Sequence, residues 1–106
     1  MSTATAPTAN LPPGARALLE RERVPFADAC EFLGMTRQAA NSKAKAYLRR
    51  TAQLGTQAVR DPGRLQPRRN SAGEYTEIPC YRTSHGRMTR TDLLIPMVYP
   101  EVGWPG

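Results

Sequence analysis

Residues 26–43 read Phe26-Ala27-Asp28-Ala29-Cys30-Glu31-Phe32-Leu33-Gly34-Met35-Thr36-Arg37-Gln38-Ala39-Ala40-Asn41-Ser42-Lys43. Phe26, Ala29, Cys30 and Leu33 recur at helical spacing, so the first half is expected to form a short helix with one apolar side. Gly34 ends it, because glycine tolerates the left-handed backbone that follows a helix. Thr36 offers a hydroxyl to an orphan amide of the next turn and so starts a second helix. Over 37–54 there is no proline or glycine and alanine is frequent, which favours one long helix closed by Gly55.

The long helix divides into two faces. At about 100° per residue, Ala40, Ala44, Tyr47, Thr51 and Leu54 fall together as the side to be buried. Gln38, Ser42, Lys45 and Arg49 fall opposite, with Arg37 and Asn41 on the flank. No acidic residue occurs over 36–60. The outer face therefore carries hydrogen-bonding groups suited to major-groove edges, Arg for guanine and Gln or Asn for adenine.

Outward from this pair, Pro12-Pro13-Gly14 suits the first turn of a preceding helix, where a missing N–H costs nothing. Ala15, Leu18, Leu19 and Glu22 continue it, and it should end before Pro25, which pushes Val24 out of helical geometry. Residues 1–10 contain little to bury and are expected to be a disordered tail. Beyond Gly55, residues 56–73 carry Asp61-Pro62-Gly63, Pro67 and Asn70-Ser71-Ala72-Gly73 among four arginines, the chemistry of turns, with a short strand expected over 56–59. Strands are expected over 75–83 and 88–98, joined at Ser84-His85-Gly86 as a hairpin, with Pro79 and Pro96 restricting them to edges or bulges. The reading is an α+β chain in four parts: the tail 1–10, a three-helix unit 11–55, a basic linker or wing 56–73, and a hairpin with an irregular end 74–106.

The 106 residues hold 15 Lys+Arg, all but two of them Arg, against 9 Asp+Glu, a formal net charge of +6. The excess is not spread evenly. Residues 36–69 hold Arg37, Lys43, Lys45, Arg49, Arg50, Arg60, Arg64, Arg68 and Arg69 against Asp61 alone, a net of +8, while the segments before and after each sum to −1. A positive excess focused in one third of the chain points to a polyanionic partner, nucleic acid before acidic membrane.

Other classes fit less well. No stretch approaches the roughly 20 apolar residues of a membrane span, and residues 1–10 lack the pattern of a secretory signal. The expected location is cytoplasmic, with Cys30 and Cys80 as thiols. Two cysteines and His85 fall short of a zinc ligand set, so no metal or other cofactor is expected. Cys80, His85 and Asp92 include a nucleophile, a base and an acid, but sequence offers them no shared geometry or oxyanion hole, and no enzyme activity is expected.

In order and spacing, residues 26–45 resemble the helix-turn-helix of phage- and plasmid-type transcription regulators: a small residue early in the first helix, Leu33-Gly34 at its end, a Thr36 cap, then a polar helix with a small buried residue, Ala40. The resemblance implies sequence-specific binding of double-stranded DNA, with the helix over 36–54 in the major groove and repression by occupying a promoter. Base contacts are expected from Thr36, Arg37, Gln38, Asn41, Ser42 and Lys45, and phosphate contacts from Lys43, Arg49, Arg50, Arg60, Arg64, Arg68 and Arg69. The arginines over 60–69 form either a wing, as winged relatives of the motif do, or an arm that folds along the backbone. A homodimer reading two half-sites is expected, with a protein partner for the C-terminal segment as a further use of Trp104. Two other classes remain open on sequence: a phage DNA-packaging subunit, and an adaptor that binds RNA polymerase or RNA.

Overall fold

The computed structural model describes residues 11–58 and 62–105. Among them are four helices and a small three-stranded antiparallel sheet, an α+β fold. In chain order these are α1 (Pro13–Glu20), β1 (Arg23–Pro25), α2 (Phe26–Leu33), α3 (Arg37–Ala58), β2 (Tyr81–Thr83), β3 (Gly86–Arg90) and α4 (Thr91–Val98), then a 3-10 turn over Pro100–Val102. The tail 1–10 and Val59, Arg60 and Asp61 lie outside the described residues.

The local signals over 26–43 act as expected. Phe26, Ala29 and Cys30 are the buried residues of α2. Gly34 takes the left-handed conformation at φ 71°. Its N–H donates to the Glu31 carbonyl and the next N–H, of Met35, to the Cys30 carbonyl, each at 3.1 Å, the paired bonds that close a helix before a reversal. At the start of α3 the Thr36 hydroxyl accepts the Ala39 N–H at 3.2 Å. Of the stripe expected to be buried, Ala40, Ala44 and Tyr47 are fully buried, Thr51 is half-buried, and Leu54 is corrected: it is 47% exposed, next to the break at Gly55. Gly55 breaks α3 rather than ending it, at φ 79°, and residues 56–58 lie in helix beyond the break where a strand was expected.

The sheet differs from the hairpin expected. Its order is β1-β3-β2, so a strand from the N-terminal half pairs with the hairpin: Val24 stands opposite Thr89, and Tyr81 opposite Met88. Glu22, at φ 61°, turns the chain from α1 into β1, and its carbonyl accepts the Thr91 N–H at 2.9 Å. Pro25 is tolerated because β1 is an edge.

The second expected strand, 88–98, is corrected: the strand ends at Arg90 and residues 91–98 are helix α4. Leu93, Leu94, Ile95 and Pro96 are all buried, so no polar face breaks the apolar run into a helical period. A short run of this kind cannot be assigned by periodicity. The first expected strand, 75–83, is also shorter, with only Tyr81–Thr83 in the sheet.

The division at residue 55 is not a division of the core. Phe26, Cys30, Ala40, Ala44 and Tyr47 form one cluster with Ile78 and Cys80; Leu11 and Ala15 pack with Ile95, and Val24 and Ala29 with Leu94. Each cluster takes residues from both sides of the basic segment.

Burial also sets the chemistry of the thiols. Cys80 is 1% exposed, and desolvation pushes its thiol up to about 11 from an ordinary 9.0. Because the folded state favours the neutral thiol, this contribution is complete below pH 9 and is lost as pH rises through the folded value. Equilibrium unfolding is expected to show stability falling from about pH 9 to 11, with a smaller fall in Cys80→Ala. Identical pH profiles for the two proteins would count against it.

Candidate nucleic-acid interface

The outer face of α3 is built by what holds its other sides. On the 100° wheel, Lys43 and Arg50 lie on one flank of the buried stripe and Asn41 on the other. Each flank is covered by a different segment.

On the first flank, residues 65–78 are strapped along the helix. The Tyr47 hydroxyl donates to the Leu65 carbonyl at 2.8 Å, and Lys43 Nζ donates to the Tyr75 carbonyl at 2.6 Å. The Ile78 N–H reaches the Lys43 carbonyl at 3.3 Å. Arg50 donates through Nε and Nη2 to the Glu77 carboxylate at 2.8–3.1 Å, and from Nη2 to the Gln66 carbonyl at 2.7 Å. Burial, ahead of any neighbouring charge, pushes the Tyr47 hydroxyl above its ordinary range. The strap closes on itself: Asn70 Oδ1 accepts the Ala72 and Glu74 N–H groups at 2.9 Å, and Arg69 bridges to Tyr75 as an antiparallel pair.

On the second flank lies the β2–β3 hairpin. Arg87 of β3 donates from Nη2 to Asn41 Oδ1, and its guanidinium carbon stands 4.1 Å above the Phe26 ring. Arg82 stands opposite Arg87 across the hairpin and is exposed.

Between these flanks the expected base-contacting residues Gln38, Ser42 and Lys45 are exposed, with Arg49 beside them, and Arg37 is exposed on the Asn41 flank. Thr36 is exposed at the helix start, where its oxygen serves as the cap. Asn41 is half-buried against Arg87. Among the described residues no carboxylate pairs with Arg37, Lys45, Arg49, Arg64, Arg68 or Arg82; the ion pairs are Arg21–Asp28, Arg50–Glu77 and Arg90–Asp92.

The expected phosphate contacts separate into two groups. Arg49, Arg64 and Arg68 have exposed side chains. Lys43 and Arg50 are engaged in holding the strap, and Arg69 lies over the Tyr75 ring at 4.6 Å while donating to its hydroxyl at 2.6 Å. Arg60 lies outside the described residues. The described part of the arginine segment is therefore neither a free arm nor the element on the Asn41 flank. That element is the β2–β3 hairpin, whose Arg82 and Arg87 sequence reasoning left in a segment of net −1. No signal in the sequence sets this hairpin beside α3.

The remaining chemistry-bearing residues are dispersed. Cys80 is in the core, Asp92 accepts from Arg90 Nε at 3.1 Å, and His85 is exposed at the hairpin tip. Among the described residues no group of His, Cys, Asp and Glu could hold a metal ion, and no helix is long and apolar enough to cross a membrane. Comparison with protein-family models, curated proteins and solved structures gave no match to this chain.

Proposed function

We propose that this protein is a sequence-specific double-stranded DNA-binding regulator that lays α3 in the major groove and acts by occupying its site. The observation that carries the reading is the outer face of α3: Gln38, Ser42, Lys45 and Arg49 are exposed together, with Arg37 exposed on the flank and no carboxylate among them. Arginine and glutamine there supply base-edge contacts, and a wide acid-free face avoids repulsion from phosphate. The α2–α3 pair, joined across Gly34 and Thr36, serves as the helix-turn-helix of the reading, and the β2–β3 hairpin as its wing. Arg49, Arg64, Arg68 and Arg82 are the phosphate contacts; Lys43 and Arg50 are removed from that role because their charges hold the strap. Two copies on one site would read two half-sites about 34–36 Å apart.

Selection of bound sequences from a random duplex pool tests this directly. A recovered motif supports the reading, a palindromic one supports two copies as well, and equal affinity for every duplex overturns it. The roles of individual residues separate by salt and sequence dependence. Arg68→Ala is expected to weaken all duplexes alike and to flatten the slope of log affinity against log salt by about 0.9. Gln38→Ala is expected to leave the slope unchanged and to cost about 1–3 kcal/mol on the selected sequence alone. Titrations at several salt concentrations on the selected and a scrambled duplex distinguish the two.

A further inference from the structure

The contact between α3 and the hairpin bears on which base is read. Asn41 lies on the flank of the outer face, next to Arg37, Gln38 and Lys45 by helical spacing. Its side-chain amide has one acceptor end and one donor end. Arg87 has donors only, so whichever way the amide is drawn, the atom it bonds must be the carbonyl oxygen. That fixes the orientation: Oδ1 faces the hairpin and Nδ2 faces away from it.

Arg87 is itself well held. Its guanidinium lies over the Phe26 ring at 4.1 Å, and Phe26 is 4% exposed in the core. Arg87 is carried on the central strand of the sheet, paired to β2 on one side and reached by β1 on the other. The amide is thus oriented by a side chain that is itself placed by the Phe26 ring of α2 and by the strand that carries it.

Orientation matters because adenine and guanine ask different things of an amide. Adenine presents N7 as an acceptor and its N6 amino group as a donor, so the paired contact needs both Oδ1 and Nδ2. Guanine presents two acceptors, N7 and O6, which suit an amide whose carbonyl oxygen is turned to the hairpin and whose N–H groups face the groove. Resting on the DNA-binding reading above, we propose that Arg87 is a positioning residue that turns the donor end of Asn41 outward, so that this position of α3 selects guanine over adenine.

The test uses the full chain and the same random duplex pool, with Asn41→Asp and Arg87→Met beside the wild type. Asn41→Asp keeps an acceptor for Arg87 but replaces the outward donors by an oxygen, and carboxylates accept from the cytosine amino group. One position of the motif is expected to be guanine for the wild type and to change to cytosine for Asn41→Asp. In Arg87→Met, which keeps an unbranched apolar stem against Phe26, the amide is released and the same position is expected to shift toward adenine. The discrimination lost there is about five- to 150-fold, the equivalent of one paired base contact. Circular dichroism identifies a variant that has failed to fold; should that be Arg87→Met, Arg87→Leu takes its place with the same expected shift.

The outcomes separate the two readings. No sequence preference in the wild type overturns DNA reading by α3 as a whole. A wild-type motif whose Asn41-dependent position is adenine, a motif in which no position answers to Asn41→Asp, or a folded Arg87→Met that keeps guanine there, leaves DNA reading standing and overturns the role of Arg87.

Discussion

A chain ended after Gly55 is expected to be unfolded, even though it contains α1, α2 and the main body of α3. Four of the largest fully buried side chains, Ile78, Leu93, Leu94 and Ile95, come from beyond that point. Burying one such side chain contributes about 1.5–3 kcal/mol, so the truncation forgoes roughly 6–12 kcal/mol. That equals a whole domain's usual margin of about 5–15 kcal/mol. The loss is also distributed. Ile78 and Cys80 close the cluster around Tyr47, Leu94 lies on Val24 and Ala29, and Ile95 lies on Leu11 and Ala15. β1 loses β3, its hydrogen-bonding partner. Far-ultraviolet circular dichroism of residues 11–55 is expected to show little helix and no cooperative thermal transition, whereas 11–106 gives both. A cooperative transition in the short fragment would overturn the single-core account.

The same packing explains what sequence could and could not tell. Where a structure is decided by neighbours in the chain, it was legible: the Gly34 reversal, the Thr36 cap and the Ala40-Ala44-Tyr47 stripe follow from spacing and backbone preference. α4 was not legible, because Leu93, Leu94, Ile95 and Pro96 are buried on every side and the amphipathic pattern that marks a helix is absent. β1 was not legible either, since three residues ending in a proline make a strand only when β3 lies beside them. At the candidate site the outward residues of α3 were readable from the wheel. The division of its cations was not: Arg49 and Arg50 are adjacent and identical, and only the fold gives one a buried carboxylate and the other solvent.

That division sets the second large effect. Glu77→Ala is expected to destabilise the protein by about 3–5 kcal/mol, the usual consequence of removing one partner from a buried ion pair. The Glu77 side chain is only 6% exposed and that of Arg50 18%. Glu77 accepts three contacts from Arg50 at 2.8–3.1 Å and the Arg68 N–H at 3.0 Å, so its loss strands a guanidinium and a backbone donor together. The hydrogen bonds to Glu77 are the leading reason that the Arg50 guanidinium is held above its ordinary range. At about 4–8 °C per kcal/mol, the thermal midpoint should fall by at least roughly 12 °C. Arg50→Met should be similarly damaging, because it leaves the buried carboxylate with no cation and only the Arg68 N–H. The pair Arg50→Met with Glu77→Leu should recover much of the loss, since well-packed apolar replacements of both ions are often neutral or better. Arg49→Ala is the control: exposed and unpaired among the described residues, it should leave the stability within about 0.5 kcal/mol of the wild type. On the DNA-binding reading proposed above, it should instead flatten the salt dependence of affinity by about 0.9 in log–log slope. Thermal unfolding of the four variants beside salt titrations separates the structural arginine from the surface one. A Glu77→Ala midpoint within two or so degrees of the wild type, or a midpoint loss for Arg49→Ala as large as that for Arg50→Met, would show that the strap over residues 65–78 is not held by this carboxylate.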